Sequence, residues 1–245
     1  MVDINRFFSA REQVLSQSYE ERGIGTLAEK TLHRILKLYV EPDVDKHEVR
    51  CHGIIADVYN SEGVFEIQTR SFERLVPKLE RLLKEEKVTV VCPIIEEKVL
   101  RWIDRSSGEI SEPRKSPKRE SALDAFRQLY RIRNYLANPN LRIWLVYLKA
   151  EEYRYLNSKG NGKRHSVRAE RIPVQLNDIR VISSVDDYSD YFPDALREKF
   201  TAAEFAKAIK RTQRYSYPVL RFFLETGAIS YVEKQGKAFV YKRNG

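Results

Sequence analysis

Gly53-Ile54-Ile55-Ala56-Asp57-Val58-Tyr59-Asn60-Ser61-Glu62-Gly63-Val64-Phe65-Glu66-Ile67-Gln68-Thr69 is the stretch that decides the fold of this 245-residue chain. Two runs rich in β-branched and aromatic residues flank the turn-forming residues 60–63, so a β-hairpin is expected. With that turn, residue i faces residue 123 − i, and Asp57 lies across from Glu66 with Cβ atoms roughly 5 Å apart. Gln68 shares the face of Glu66, because strand side chains alternate with period 2. Two carboxylates and an amide then converge between apolar strands. Like charges set opposite one another destabilise a hairpin, so the pair calls for a cation. Mg²⁺ or Mn²⁺ is the natural candidate, a hard ion that takes oxygen ligands. Ordinary acids on a solvent-facing strand are the other reading.

Working outward, Thr26 and Glu29 fit a capping box that opens a helix with an apolar stripe at Leu27, Leu32, Ile35, Leu36 and Tyr39. Residues 1–24 read as a polar helix with apolar points at Ile4, Phe7, Phe8 and Val14, and a first strand is expected within 44–51. Downstream, Phe72, Leu75, Val76, Leu79, Leu82 and Leu83 recur at helical spacing. The run 87–94 then reads as a buried strand closed by Pro93. Residues 104–120 lose apolar periodicity and read as a basic loop, followed by a helix over 122–136. Strands over 141–153 and 167–182 are expected to form a long hairpin around a Gly/Lys/Arg/Asn tip at 157–165, with Arg154, Arg168 and Arg171 among its cations. Trp102 and Trp144 read as packing residues. Asp186, Asp187 and Asp190 interrupt the pattern and set a boundary between a domain over 1–185 and a second over 191–245.

Composition narrows the classes. Hydrophobic residues make up 42%, enough for a core, and 44 Lys+Arg against 35 Asp+Glu leave a net charge of +9. That surplus favours polyanionic partners, nucleic acid above all. No window approaches 18 consecutive apolar residues, so no membrane partner is expected. The N-terminus lacks the apolar core of a secretory signal, and the expected setting is the cytoplasm. Cys51 and Cys92 sit in β-like runs and read as buried reduced thiols. The histidines at 33, 47, 52 and 165 show no zinc-ligand spacing.

Asp57-x8-Glu66-Ile67-Gln68 resembles the motif of the PD-(D/E)XK nucleases, the restriction-endonuclease-like superfamily. The helix carrying Glu29 and the helix and strand over 72–94 are similar to that superfamily's αβββαβ core order, across about residues 26–94. The resemblance implies an α/β fold, here with an added β-hairpin, and a metal-dependent endonuclease that hydrolyses DNA phosphodiester bonds. By it, Asp57 and Glu66 would hold one or two Mg²⁺ (or Mn²⁺) ions, with the Ile67 carbonyl as a further ligand and Glu29 acting through water. Ala56 stands where the motif often has Pro. Gln68 stands where it usually has Lys, and Lys78 on the next helix is the candidate for a migrated lysine. Either Gln68 or Lys78 would orient the attacking water. The alternative is a nuclease-like fold that no longer cuts and serves as a DNA-binding or regulatory protein. RNA as the substrate, and a homodimer, stay open.

Residues 191–245 hold 11 Lys+Arg against 5 Asp+Glu. Helices are expected over 193–200, from the Thr201/Glu204 capping box to about 210, and from Ser216 with Pro218 to Gly227. A hairpin around Lys234-Gln235-Gly236-Lys237 follows. Three helices and a hairpin resemble a winged helix-turn-helix domain, α+β in class, which implies DNA binding through the third helix and the wing. Arg211, Arg214, Tyr215, Tyr217, Arg221, Lys234 and Lys237 are the expected contacts, and Arg114, Lys115, Lys118 and Arg119 a further phosphate clamp.

Overall fold

The computed structural model describes residues 2–20, 28–156 and 166–244, with backbone alone at 17–20, 28–30, 156 and 166. Two helices open the chain, α1 (Ile4–Glu20) and α2 (Ala28–Val40). Their buried residues recur three or four apart: Phe7, Ala10 and Val14 on α1, and Leu32, Ile35, Leu36 and Tyr39 on α2. The capping residue Thr26 and the tip 157–165 lie outside the described residues.

A meander follows, with β1 (His47–Cys51), β2 (Ile54–Asn60) and β3 (Gly63–Ile67) antiparallel in turn. A 3₁₀ turn then leads into α3 (Val76–Leu82), and β4 (Val88–Ile103) returns parallel to β3. The segments β5 (Arg114–Lys115), α4 (Ala122–Leu129), β6 (Leu141–Leu156) and β7 (Ser166–Ile182) complete a seven-stranded mixed sheet. Its order is β1-β2-β3-β4-β6-β7, with β5 on β4, so the protein is mixed α/β. The rest is β8 (Lys199–Thr201), α5 (Ala202–Ala208), α6 (Gln213–Glu225), β9 (Ile229–Gln235) and β10 (Ala238–Arg243), with a second sheet ordered β8-β10-β9.

The central hairpin has the register its turn dictates: Val58 faces Phe65, Tyr59 faces Val64 and Asn60 faces Gly63. Gly63 has φ +110°, and a Cβ there would sit 2.3 Å from the Lys87 carbonyl oxygen, which the Val64 amide bonds at 2.9 Å. Only glycine lets β3 lie this close to the start of β4. Every residue of β3 is buried, because both faces of the sheet are covered. Phe65, Val91, Val146 and Leu148 pack under α1 and α2. Val64, Val90, Cys92, Ile143 and Leu145 pack on the other face, under α3, α4 and α6.

Four expectations are corrected. Pro93 does not close its strand; β4 runs on to Ile103, pairing Pro93 with Val146 of β6. The Val91 carbonyl faces β3, so alternation puts the Pro93 nitrogen on that side too, just past the end of β3, where no donor is needed. The basic loop is not free of structure, since Arg114 and Lys115 pair with Leu100 and Val99 and fold the segment back along β4. The helix from 122 stops at Leu129 and continues as a 3₁₀ turn, kinked at Ile132. Residues 193–200 form no helix, because Phe200 is buried by extended pairing with Tyr241, leaving two helices after residue 191 rather than three.

The C-terminal unit shares the main core. Phe222 of α6 stacks on Phe126 of α4 with centroids 4.7 Å apart, and Phe223, Tyr188 and Tyr191 also meet Phe126 edge-on. The cap of α6 is Thr212, whose hydroxyl accepts from the Tyr215 amide, so the helix starts earlier than Ser216, which is fully buried within it. No described helix is long and apolar enough to cross a membrane.

Candidate functional site

A cleft of about 780 Å³ opens at the end of β2 and β3, lined by α2, β1, the residues after β3 and α3. Its position follows from a break in the sheet. Ala56 and Val58 are two apart on β2, yet they bury on opposite faces. Across from Asp57 stands Glu48, bracketed by the pairs His47–Val58 and Val49–Ala56, with a left-handed φ of +53°. Such backbone in a non-glycine residue is strained and concentrates at functional sites. Ser71, also in the cleft wall, has φ +58°. The β2–β3 ladder ends at Val58–Phe65, and the Asp57 carboxylate fills the gap beyond it, accepting from the Ile67 amide at 2.8 Å.

Asp57, Glu66, Ile67, Gln68 and Lys78 all line this one cleft. Glu66 is 2% exposed, and Lys78 grips both its oxygens at 2.9 and 2.7 Å while also donating to the Ile55 carbonyl at 2.9 Å. Burial, then the Asp57 charge, raises the Glu66 carboxyl to about 7, against Lys78 and the Asp57 backbone amide. Asp57 is also pushed up by burial. Its hydrogen bond with His33 (3.1 Å), the His33 charge and the Ile67 amide outweigh that and hold it below the usual carboxylate range. Gln68 turns away, its amide donating to the Arg70 carbonyl.

The sequence did not point to His33 or Glu48. His33 lies one helical turn after Glu29 on α2, so the residue expected to act from this helix has a neighbour in the same row. The Glu29 side chain lies outside the described residues. Glu48 pairs with the nearly buried Lys37 at 2.8 Å, which lowers its carboxyl. The cleft therefore holds three carboxylates from three successive strands, faced by His33, Lys37 and Lys78, with Arg34, Arg70 and Arg74 also in its wall.

A second hollow of about 230 Å³ shares Gln68, Thr69 and Arg70 with the first and extends to Lys118 and Arg127. Of the expected clamp, Lys118 thus lines this second hollow, while Lys115 is paired with Glu97 at 2.9 Å. Arg114 and Arg119 are exposed. Arg154 and Arg171 are turned inward on the fully buried Glu152, together with Lys98. On the C-terminal unit, Arg211, Arg214, Tyr217, Arg221, Lys234 and Lys237 are exposed. Tyr215 is half-buried between the guanidinium groups of Arg127 and Arg211. Both cysteines are buried and free. Cys51, His52 and Glu86 nevertheless come together, with ligand atoms within 4.8 Å, which their sequence spacing did not suggest. Hydrogen bonds to Glu86 from Tyr59 and His52, both 3.0 Å, account for that cluster.

Fold and cleft thus define a mixed α/β protein with a carboxylate-lined, lysine-gripped site at its strand ends. The chain belongs to the family described as Domain of unknown function (DUF8091), whose model matches residues 30–183 and so spans the whole cleft. It is similar to an uncharacterized protein of Treponema pallidum (strain Nichols), 28% identical over 222 residues, covering 90% of this chain and 87% of the relative. No solved structure matches.

Proposed function

We propose that this protein is a Mg²⁺- or Mn²⁺-dependent nuclease of the PD-(D/E)XK type, cutting DNA, with residues 191–245, two helices and a hairpin wing in place of the three helices expected, as the winged-helix-like unit that positions it. The observation that carries the reading is the convergence of Asp57, Glu66, Ile67 and Lys78 in one cleft. The order α2-β1-β2-β3-α3-β4 supports it as well. The donor set fits a hard divalent ion: two carboxylates and the Ile67 carbonyl, all oxygen, with the Glu66 carboxyl raised to about 7 by burial and by the Asp57 charge. Such an ion, when bound, supplies Lewis-acid stabilisation of a phosphate and a water of lowered pKa.

The chain's own residues do the rest. His33 and the Ile67 amide fix the Asp57 carboxylate and keep it ionised. Lys78, which donates to both Glu66 oxygens and the Ile55 carbonyl, would hold the attacking water or a phosphate oxygen by exchanging one of those bonds, whereas the Gln68 amide donates to Arg70. Arg34, Arg70 and Arg74 give the wall a positive field that draws a polyanion. The test is full-length protein on plasmid and on single- and double-stranded DNA and RNA, with Mg²⁺ or Mn²⁺ against EDTA. Cleavage should require metal, and calorimetric Mn²⁺ binding should vanish in Asp57→Asn. Undiminished metal binding in that variant would sink the site. The turned-away Gln68 favours a second reading, a nuclease-like fold that binds DNA without cutting, to which absent cleavage alongside intact binding would lead.

A further inference from the structure

We infer that the outer face of the C-terminal unit binds unpaired bases of a single-stranded nucleic acid by aromatic stacking. This rests on the nucleic-acid reading above but not on cleavage. Tyr217, Tyr231 and Phe239 are 51%, 50% and 51% exposed. Tyr231 and Phe239 meet edge-on at 5.6 Å, and the Lys234 ammonium lies 5.8 Å from the Phe239 ring. Tyr217 and Arg221 sit one turn apart on α6, which packs beside β9, the strand that carries Tyr231. The exposed rings thus stand on two neighbouring elements, the α6 helix and the β9–β10 hairpin.

Charge complementarity selects the occupant. The unit carries 11 Lys+Arg against 5 Asp+Glu. Among the described residues, Arg214, Arg221, Lys234 and Lys237 are in no ion pair. A second copy of so basic a surface would be repelled, whereas a polyphosphate backbone is attracted. Phosphates alone need no aromatic rings. In a duplex the base faces are already covered, so half-exposed rings beside cations match the stacking platforms of single-strand binders.

The experiment measures fluorescence anisotropy of the full chain in EDTA, with labelled oligo-dT and with a blunt duplex of equal length. The strand should bind more tightly than the duplex. Tyr231→Ala with Phe239→Ala should weaken strand binding at least about tenfold without changing the slope of log K against log salt. Lys234→Ala with Lys237→Ala should flatten that slope by about 1.4, at 0.7 per phosphate contact on a single strand. Tyr231→Phe with Phe239→Tyr keeps both rings and should bind as wild type, which separates stacking from a folding defect. A preference for duplex, or unchanged affinity in the alanine pair, overturns the inference. So does sedimentation showing a dimer that the alanine pair abolishes. If metal-dependent cleavage persists through those outcomes, the nuclease reading stands and only the stacking surface falls.

Discussion

Glu66→Gln removes the most unfavourable charge in the cleft while keeping its shape, and its effect on stability should depend on pH. The wild-type carboxyl is raised from 4.5 to about 7 in the folded protein, by burial first and by Asp57 second. Between those values the folded state binds a proton that the unfolded chain has released, so wild-type stability falls as pH rises through the window. The full difference is about 3 kcal/mol, an upper figure at about 1.4 kcal/mol per pH unit. The amide escapes that loss, and Lys78 keeps the Ile55 carbonyl as a partner. Urea unfolding in EDTA should find the two proteins similar near pH 4.5 and the variant more stable at pH 8, by on the order of 2 kcal/mol once Lys78 has lost its ion pair. Mg²⁺ should reverse the order at pH 8, adding about 2.7 kcal/mol to wild type at a concentration of 100 times Kd and nothing to the variant. Parallel pH profiles, or a variant that is the weaker at pH 8 without metal, would refute the account of Glu66 as a buried, repelled charge.

Lys78→Ala should lower metal-dependent cleavage by at least about 100-fold, with Gln68→Ala costing far less; equal losses in single-turnover assays would put the amide back in the reaction. Glu152 is the opposite kind of buried acid: burial raises it, but Arg171, Arg154 and Lys98 overcome that and bring it to about 2. It stabilises the fold above pH 4.5 and loses that contribution as pH falls toward 2. Glu152→Ala should therefore cost about 3–5 kcal/mol at pH 7 in urea unfolding, because it strands buried cations. Phe126→Ala should cost about 3–5 kcal/mol and leave a single unfolding transition, since the ring joins α4 to α6; two separate transitions would contradict a shared core.

The hairpin and its register were legible because the turn residues, Gly63 and the apolar runs all agree locally. Asp57 and Glu66 were set near one another by that register, while Ile67 and Lys78 entered through the resemblance; that all four line one cleft is what the structure adds. His33 and Glu48 were not legible, because what recruits them is the break at Asp57, where Glu48 turns left-handed and the two-residue alternation fails. No local pattern announces that break. The continuation of β4 past Pro93 was hidden by a non-local fact, that β3 has already ended there. Phe200 is extended rather than helical because β10, some forty residues later, offers it a partner. Tertiary pairing overrode local propensity in each case.

The stacked rings of Phe126 and Phe222 bear on how the molecule is made. The face of the main sheet that carries α4 is completed by Val219, Leu220, Phe222 and Phe223, and Phe222 follows its partner Phe126 by 96 residues. A ribosome emits the chain from its N-terminus, at about 5–20 residues per second. Between the emergence of α4 and that of α6, the α4 side of the sheet therefore lacks part of its apolar cover. A chain cut before α6 should keep that apolar surface and bind a hydrophobic dye such as ANS, which the intact protein should not.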